Sequence, residues 1–400
     1  MNHGPEASIL LLKRDERLKE RLQSHLESLG FCLPHGGGLT SETGSKDAIR
    51  YFHAEHRQSV LEKSENFAQK SWPDLKKFFA SGSQVAPDRI SPRIEQVISH
   101  TWQARLFRLA SLTWSVPVSR GFGRRLRFLV WDDFNGKLIG IFAIGDPVFN
   151  LGARDRYIGW SGADRVERLV NVMDAYVLGA IPPYNALLGG KLIACLVRTI
   201  EVYNAFRERY SEQVGVISGQ TKPAHLLAVT TSSSMGRSSI YNRLKLHDEH
   251  YLSRIGYSGG WGHFHVSDEL FSELRNYLRA TGHSYADEHQ FGKGSNWRIR
   301  TIRAALTALG VQGDMLKHGI QREVFISLFA ANSLELLSGT TTEPPALQIK
   351  SVSEVAFHAL ERWVIPRAIR RPEFKNWQSD DLAALIFGRD VALKLMKKIN

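Results

Sequence analysis

Arg124-Arg125-Leu126-Arg127-Phe128-Leu129-Val130-Trp131, then Asp132-Asp133-Phe134-Asn135-Gly136-Lys137, then Leu138-Ile139-Gly140-Ile141-Phe142-Ala143-Ile144 is the stretch on which the fold turns. The two outer runs are rich in branched and aromatic residues and read as strands. The middle run holds Asn-Gly, the strongest short turn signal, so the spacing predicts an antiparallel hairpin. Working outward, a third strand is predicted near Asn171–Ala180, ended by Pro182-Pro183. A strongly apolar helix follows from about Leu187 to Tyr203. A strand at Leu226–Thr231 leads into the small polar loop Ser232–Arg237, which is expected to open a helix, and a last strand is expected over Gly262–Val266.

The flanks change period. Leu11, Leu18, Leu22, Leu26 and Leu29 recur near helical spacing, which predicts a helix over residues 6–30 stopped by Gly30. A second helix is expected from the N-cap Ser45 to about Lys70, and a third from Ser91-Pro92 to about Leu112, because proline suits a first helical position. From Ser267 onward the pattern is helical again. The expected class is therefore α+β: a helical N-terminal region (residues 1–115), a central mixed β-sheet with helices (116–270) and a helical C-terminal region (271–400).

A chain of 400 residues suits two or three domains of about 100–200 residues each. Apolar residues at 43% and charged residues at 23% exclude wholesale disorder, a coiled-coil rod and a collagen-like chain. The net charge of +12 favours a polyanionic partner. Cys32 and Cys195 are the only cysteines, too few for a disulfide framework or a cysteine zinc site. The apolar patch Ile9–Leu12 runs straight into Lys13 and Arg14, so it is not a secretory signal. No apolar run reaches the roughly 18 residues of a membrane span. A soluble cytoplasmic protein is expected, with no membrane partner.

The order hairpin, strand, glycine-started helix, strand resembles the core of the GNAT acetyltransferases. That fold binds the pyrophosphate of acetyl-CoA at the helix N-terminus. Its loop pattern is R/Q-x-x-G-x-G/A. Counting from Gly189 puts Ala186 and Lys191 at the outer positions, and counting from Gly190 puts Leu187 and Leu192 there. Both registers fail, and close helix–sheet packing is the plainer account of the glycine pair. No cofactor is expected.

Other motifs lead elsewhere. Arg154-Asp155-Arg156-Tyr157-Ile158-Gly159-Trp160, Gly256–His265 with its G-W-G-H-F-H string, Gly294–Arg303 and His318–Phe325 together resemble the DruA family, named for the Druantia anti-phage defence system. The resemblance covers about residues 90–340. It implies a GNAT-like core without a recognised acetyltransferase site, and a bacterial defence role beside other Druantia proteins, including a large helicase. It carries no catalytic residues that can be transferred.

The chemistry-bearing clusters each have a bland account beside a functional one. His263 and His265 would share a face if they lay in a strand, and with His247-Asp248-Glu249-His250 or Asp287-Glu288-His289 they suggest a metal nuclease. None of the spacings is a ligand motif, and solvated polar ends explain them as well, so no metal is expected. Ser232-Ser233-Ser234 lacks a nucleophile elbow and reads as a turn. Gly236 and Arg237 in the same loop suit an anion contact. Arg154-Asp155-Arg156 beside Trp160 is either a functional triplet or a salt-bridged strand end holding a tryptophan in the core.

The basic runs carry more. From Ser99 to Trp131 there are six arginines (105, 108, 120, 124, 125 and 127) and no Asp, Glu or Lys. His289–Arg303 and Arg362–Lys375 add Lys293, Arg298, Arg300, Arg303, Arg362, Arg367, Arg370, Arg371 and Lys375, with aromatics interleaved, and the tail adds Lys394, Lys397 and Lys398. Guanidinium forks suit phosphate oxygens, and aromatic rings stack on bases. The expected nucleic-acid contacts are Arg124, Arg125, Arg127, Arg237, Lys293, Arg298, Arg300, Arg303, Arg370 and Arg371. Three functions follow from this reading. The first is a defence component that binds DNA and acts with a helicase. The second is an enzyme with a degenerate acyltransferase-like or unrecognised metal-nuclease site. The third is a scaffold that docks proteins on its basic faces. No residue is assigned a catalytic role.

Overall fold

The computed structural model describes residues 5–32, 38–41, 45–212, 224–287, 297–311 and 314–388. The chain divides into two units, Met1–Ser59 with Ser258–Arg322 and Val60–Tyr257 with Glu323–Asn400.

The second unit is built on seven strands: β1 (Pro92–Gln96), β2 (Arg125–Asp132), β3 (Lys137–Gly145), β4 (Val172–Ala180), β5 (Ala228–Ser232), β6 (Ser253–Tyr257) and β7 (Glu323–Leu328). Their order across the sheet is β6-β7-β5-β4-β3-β2-β1. Neighbours are antiparallel except β4 and β5, which pair in parallel through Val172–Asp174 and Ala228–Thr230. The β2–β3 hairpin forms as expected. Asp132 pairs with Lys137, and Asn135 Oδ1 accepts the Lys137 amide at 2.9 Å. Phe128, Phe142 and Ile144 share one core with Ile193 and Leu196 of the Gly189–Leu196 helix. On the opposite face Leu129, Trp131, Ile141 and Val177 share a core with Trp72, Leu106, Leu109 and Leu382. A sheet covered on both faces explains why β2 and β3 read as nearly continuous apolar runs.

The first unit is helical. Leu18, Leu22, Leu26 and Leu29 are buried along Pro5–Ser28 and just after it. Asp268–Ala280 buries Leu270, Leu274 and Leu278, and Trp297–Ala308 buries Ile302 and Leu306. Arg21 reaches Glu273 at 2.7 Å.

The structure corrects several expectations. The helix expected over Ser91–Leu112 is a strand followed by a shorter helix, Trp102–Ser111, capped by Thr101. Proline is equally at home as the first residue of an edge strand, and the Ser91 amide is taken by Asp132 Oδ1 at 3.0 Å, which seats β1 against β2. Second, the Leu187–Tyr203 helix is two helices, Gly189–Leu196 and Ile200–Tyr210, parted where the Ile200 amide donates to Lys350 O. Likewise Ser45 caps the short helix Lys46–Phe52, and Ala54–Leu75 follows as a separate helix. Third, no strand spans Gly262–Val266, so His263 and His265 do not share a strand face. β6 and β7 complete the sheet instead. β7 buries five of its six residues, so it shows no alternation to mark it. Fourth, Ser232–Arg237 opens no helix: Ser238 Oγ accepts the amides of Ile240 and Tyr241 and folds the chain into turns.

Candidate nucleic-acid interface

The arginine run of the second unit converges on one end of the sheet. β2 begins at Arg125, β1 ends beside it, and the Val97 amide donates to Arg127 O. The hydroxyl of Tyr176, on β4, is pushed up by burial, while the nearby charges of Arg127 and Arg125 pull it down. Arg108, by contrast, is lowered, first by burial and then by the neighbouring Arg120. Arg125 and Arg127 therefore lie near Tyr176, Arg120 adjoins Arg125, and Arg108 adjoins Arg120. Among the described residues none of the four has a carboxylate partner. Arg125 donates to Arg120 O at 3.3 Å, Arg127 donates to Ser99 Oγ at 3.1 Å, and Arg108 lies 3.8 Å over the Phe67 ring. These hold the side chains in place without neutralising them.

The other expected contacts divide. Arg124 is tied inward: its Nε donates to Asp146 at 2.7 Å and its Nη1 to Val170 O at 2.8 Å. Arg237 is exposed in the turn after β5, and Arg370 and Arg371 are exposed at the end of the Ile365–Arg370 helix. In the first unit Arg300 and Arg303 are exposed on the Trp297–Ala308 helix, with Arg303 5.7 Å over the Trp261 ring. Arg298 is an internal clamp. It ion-pairs with Asp268 and donates to Val266 O at 2.8 Å, securing the start of the Asp268–Ala280 helix. Lys293, Lys394, Lys397 and Lys398 lie outside the described residues. Sequence reasoning passed over Tyr176, because nothing in the local pattern places it beneath arginines some 50 positions earlier.

The remaining clusters take structural places. Arg154 is fully buried on the Gly152–Ile158 helix, not on a strand end; it ion-pairs with Asp155 at 2.7 Å and lies 5.2 Å from the Trp160 ring. The glycine pair starts its helix in tight quarters: a methyl on Gly189 would stand 2.6 Å from Tyr184 O. The Lys191 ammonium donates to Ile240 O at 2.9 Å, closing over that helix start. His247 meets His358 at 2.9 Å beside the small Lys245–His250 hairpin. His265 contacts Met315 O at 2.8 Å, and the His53 ring stacks 4.2 Å from Phe264. Asp287 is held by Arg275 and Arg279. Among the described residues no three His, Cys, Asp or Glu side chains are grouped so as to hold a metal ion, and no helix is long and apolar enough to cross a membrane.

Fold and surface together define an α+β protein with a seven-stranded mixed sheet and an arginine-lined sheet end. The family model described as Druantia protein DruA matches residues 43–339. The curated Druantia protein DruA of Escherichia coli (strain UMEA 4076-1) is 55% identical over 382 residues, 96% of this chain and 95% of that protein. The chain belongs to the DruA family of Druantia anti-phage defence proteins. No solved structure matches it significantly.

Proposed function

We propose that this chain is the nucleic-acid-binding member of a Druantia assembly, acting in the cytoplasm on DNA that a helicase partner handles. The observation that carries this reading is the group of four arginines at the sheet end without carboxylate partners among the described residues. Uncompensated guanidinium groups held close together repel one another, and a phosphate backbone relieves that repulsion. Exposed Arg300 and Arg303 give the first unit a basic helix face of its own. The parallel β4–β5 pair, with a glycine-started helix between its strands, supports a GNAT-like description of the sheet. The close packing at Gly189 and the engaged Lys191 speak for a binding role over acyl transfer.

Fluorescence anisotropy with labelled DNA across a salt series tests this. Each arginine–phosphate pairing that is removed should lower the slope of log affinity against log salt by about 0.9 on duplex or about 0.7 on single strands. Arg125→Ala with Arg127→Ala should weaken binding to every sequence and flatten that slope. Arg300→Ala with Arg303→Ala should do the same through the other unit. Wild-type affinity and slope in both double variants would remove these surfaces from the reading.

A further inference from the structure

Two loops at the arginine end of the sheet hold aromatic rings out into solvent. In Ser119-Arg120-Gly121-Phe122-Gly123-Arg124, Phe122 is 36% exposed. It stands between Gly121 at φ 63° and Gly123 at φ 61°, left-handed conformations that suit glycine. Neither glycine has room for a side chain. A methyl on Gly121 would meet the Tyr176 ring at 2.6 Å, and one on Gly123 would strike the Asp146 carboxylate. The second loop, after β3, carries Val148 at 49% and Phe149 at 48% exposure.

The loops are bound together by hydrogen bonds. The Arg124 amide donates to Asp146 Oδ2 at 2.9 Å, and the Asp146 amide donates to Arg124 O at 3.1 Å. Buried Arg154 donates to Val148 O at 2.9 Å and Phe149 O at 2.8 Å, so the conspicuous R-D-x-x-I-G-W motif clamps the backbone of an exposed aromatic loop. Arg165 lies 5.3 Å over the Phe149 ring. The acids that tie these loops down are themselves engaged: Asp146 by Arg124, and Asp155 by Arg154 and Arg165. Phe122, Val148, Phe149 and Arg120 are exposed on the two loops.

We infer that these paired loops form a stacking tip for single-stranded DNA, with Phe122 and Phe149 packing on bases while Arg120, Arg125 and Arg127 take the adjoining phosphates. This rests on the nucleic-acid reading above and narrows it. A flat ring on a clamped loop gains stacking only from a base whose face is open, and in a duplex those faces are covered by their neighbours. Arginine at the same edge supplies the charge complement of the strand's backbone.

The test compares a labelled oligothymidylate, a duplex of equal length and an oligouridylate. The single DNA strand is expected to bind more tightly than the duplex. Phe122→Ala with Phe149→Ala should lower single-strand affinity about 10-fold or more at an unchanged salt slope, because every arginine–phosphate pairing is kept. Phe122→Leu with Phe149→Leu, which keeps the apolar bulk and loses the ring face, should show most of that effect and serves where the alanine pair fails to fold. Photocrosslinks from 5-iododeoxyuridine should map to Phe122 or Phe149. Wild-type affinity in the leucine pair, or tighter duplex binding, overturns the stacking tip while leaving electrostatic DNA binding standing. Tighter binding of the uridylate strand overturns the assignment to DNA. No binding of any strand at low salt overturns both this inference and the reading beneath it.

Discussion

Arg154 has no water to turn to. Its side chain is completely buried, and its guanidinium is satisfied by Asp155 and two backbone carbonyls. Burial pulls its pKa down, and the hydrogen bonds and charge of Asp155 hold it up. Removing one partner strands the other's charge in a poor dielectric, so Asp155→Ala should destabilise the protein by about 3–5 kcal/mol. Arg154→Met removes the charge and keeps the stem, yet still orphans Asp155. It should destabilise less, because Arg165 remains at 3.1 Å to answer that carboxylate. Urea midpoints for the two variants check the ranking. Equal losses would mean that Arg165 does not compensate. The sequence left the R-D-R triplet open between a functional role and a salt-bridged strand end; the buried Arg154–Asp155 pair matches the ion pair of the second, but on a helix instead of a strand. Its attachment to the Val148-Phe149 carbonyls was not readable, because a side chain's backbone partners leave no compositional trace.

At the scale of the element, the glycine pair at the start of the Gly189–Leu196 helix is a spacing device. A methyl on Gly189 would stand 2.6 Å from Tyr184 O and 3.0 Å from Ala180 Cβ, where backbone has little room to retreat. A methyl on Gly190 would stand 3.2 Å from Ile240 Cδ1, the far end of a flexible side chain. Overpacking costs about 1–3 kcal/mol, whereas alanine in place of helical glycine gains up to about 1 kcal/mol. Gly189→Ala should therefore lower the thermal midpoint clearly, and Gly190→Ala should leave it near wild type. Scanning calorimetry of both variants decides; equal behaviour would reject the asymmetry. The β2–β3 hairpin was legible because its strands and turn lie within about twenty residues. β1 was misread because Ser91-Pro92 is a start signal shared by helices and edge strands.

At the scale of the whole molecule, histidines and acids divide the response to pH. His53 and His265 are held down to about 3 and His318 to about 4, each chiefly by burial, and His263 is lowered for the same first reason. All four belong to the first unit. An unfolded imidazole takes up its proton near pH 6.5, while His53, His265 and His318 refuse it until far lower. Between those values the unfolded state binds more protons. Their contribution to stability is therefore complete above about pH 6.5 and is lost as the pH falls toward 3. In the second unit Asp174 is raised to about 6, mainly by burial against the hydrogen bond from Thr230. Its sign is opposite: the folded carboxyl holds its proton more readily, so acid through that range favours the folded state. Mild acid should accordingly open the first unit before the second. Hydrogen exchange resolved along the sequence at pH 7 and pH 5 should show protection lost first around His265 and His318. Simultaneous loss in both units would refute this.

The sequence by itself determined the α+β class, the central hairpin, the leucine-striped first helix, the basic runs and the family resemblance. Each of these is written in residues a few positions apart, where periodicity, turn chemistry and charge act locally. Tertiary structure alone decided which arginines meet acids among the described residues, since Arg124 and Arg298 find carboxylates while Arg125 and Arg127 do not. It also decided that β7 joins β5 across some ninety residues of chain, and that two exposed phenylalanines stand on loops tied edge to edge. The physical reason is the same in each case. Pairing between distant segments is fixed by which buried surfaces and polar groups satisfy one another in space, and no local window contains both partners.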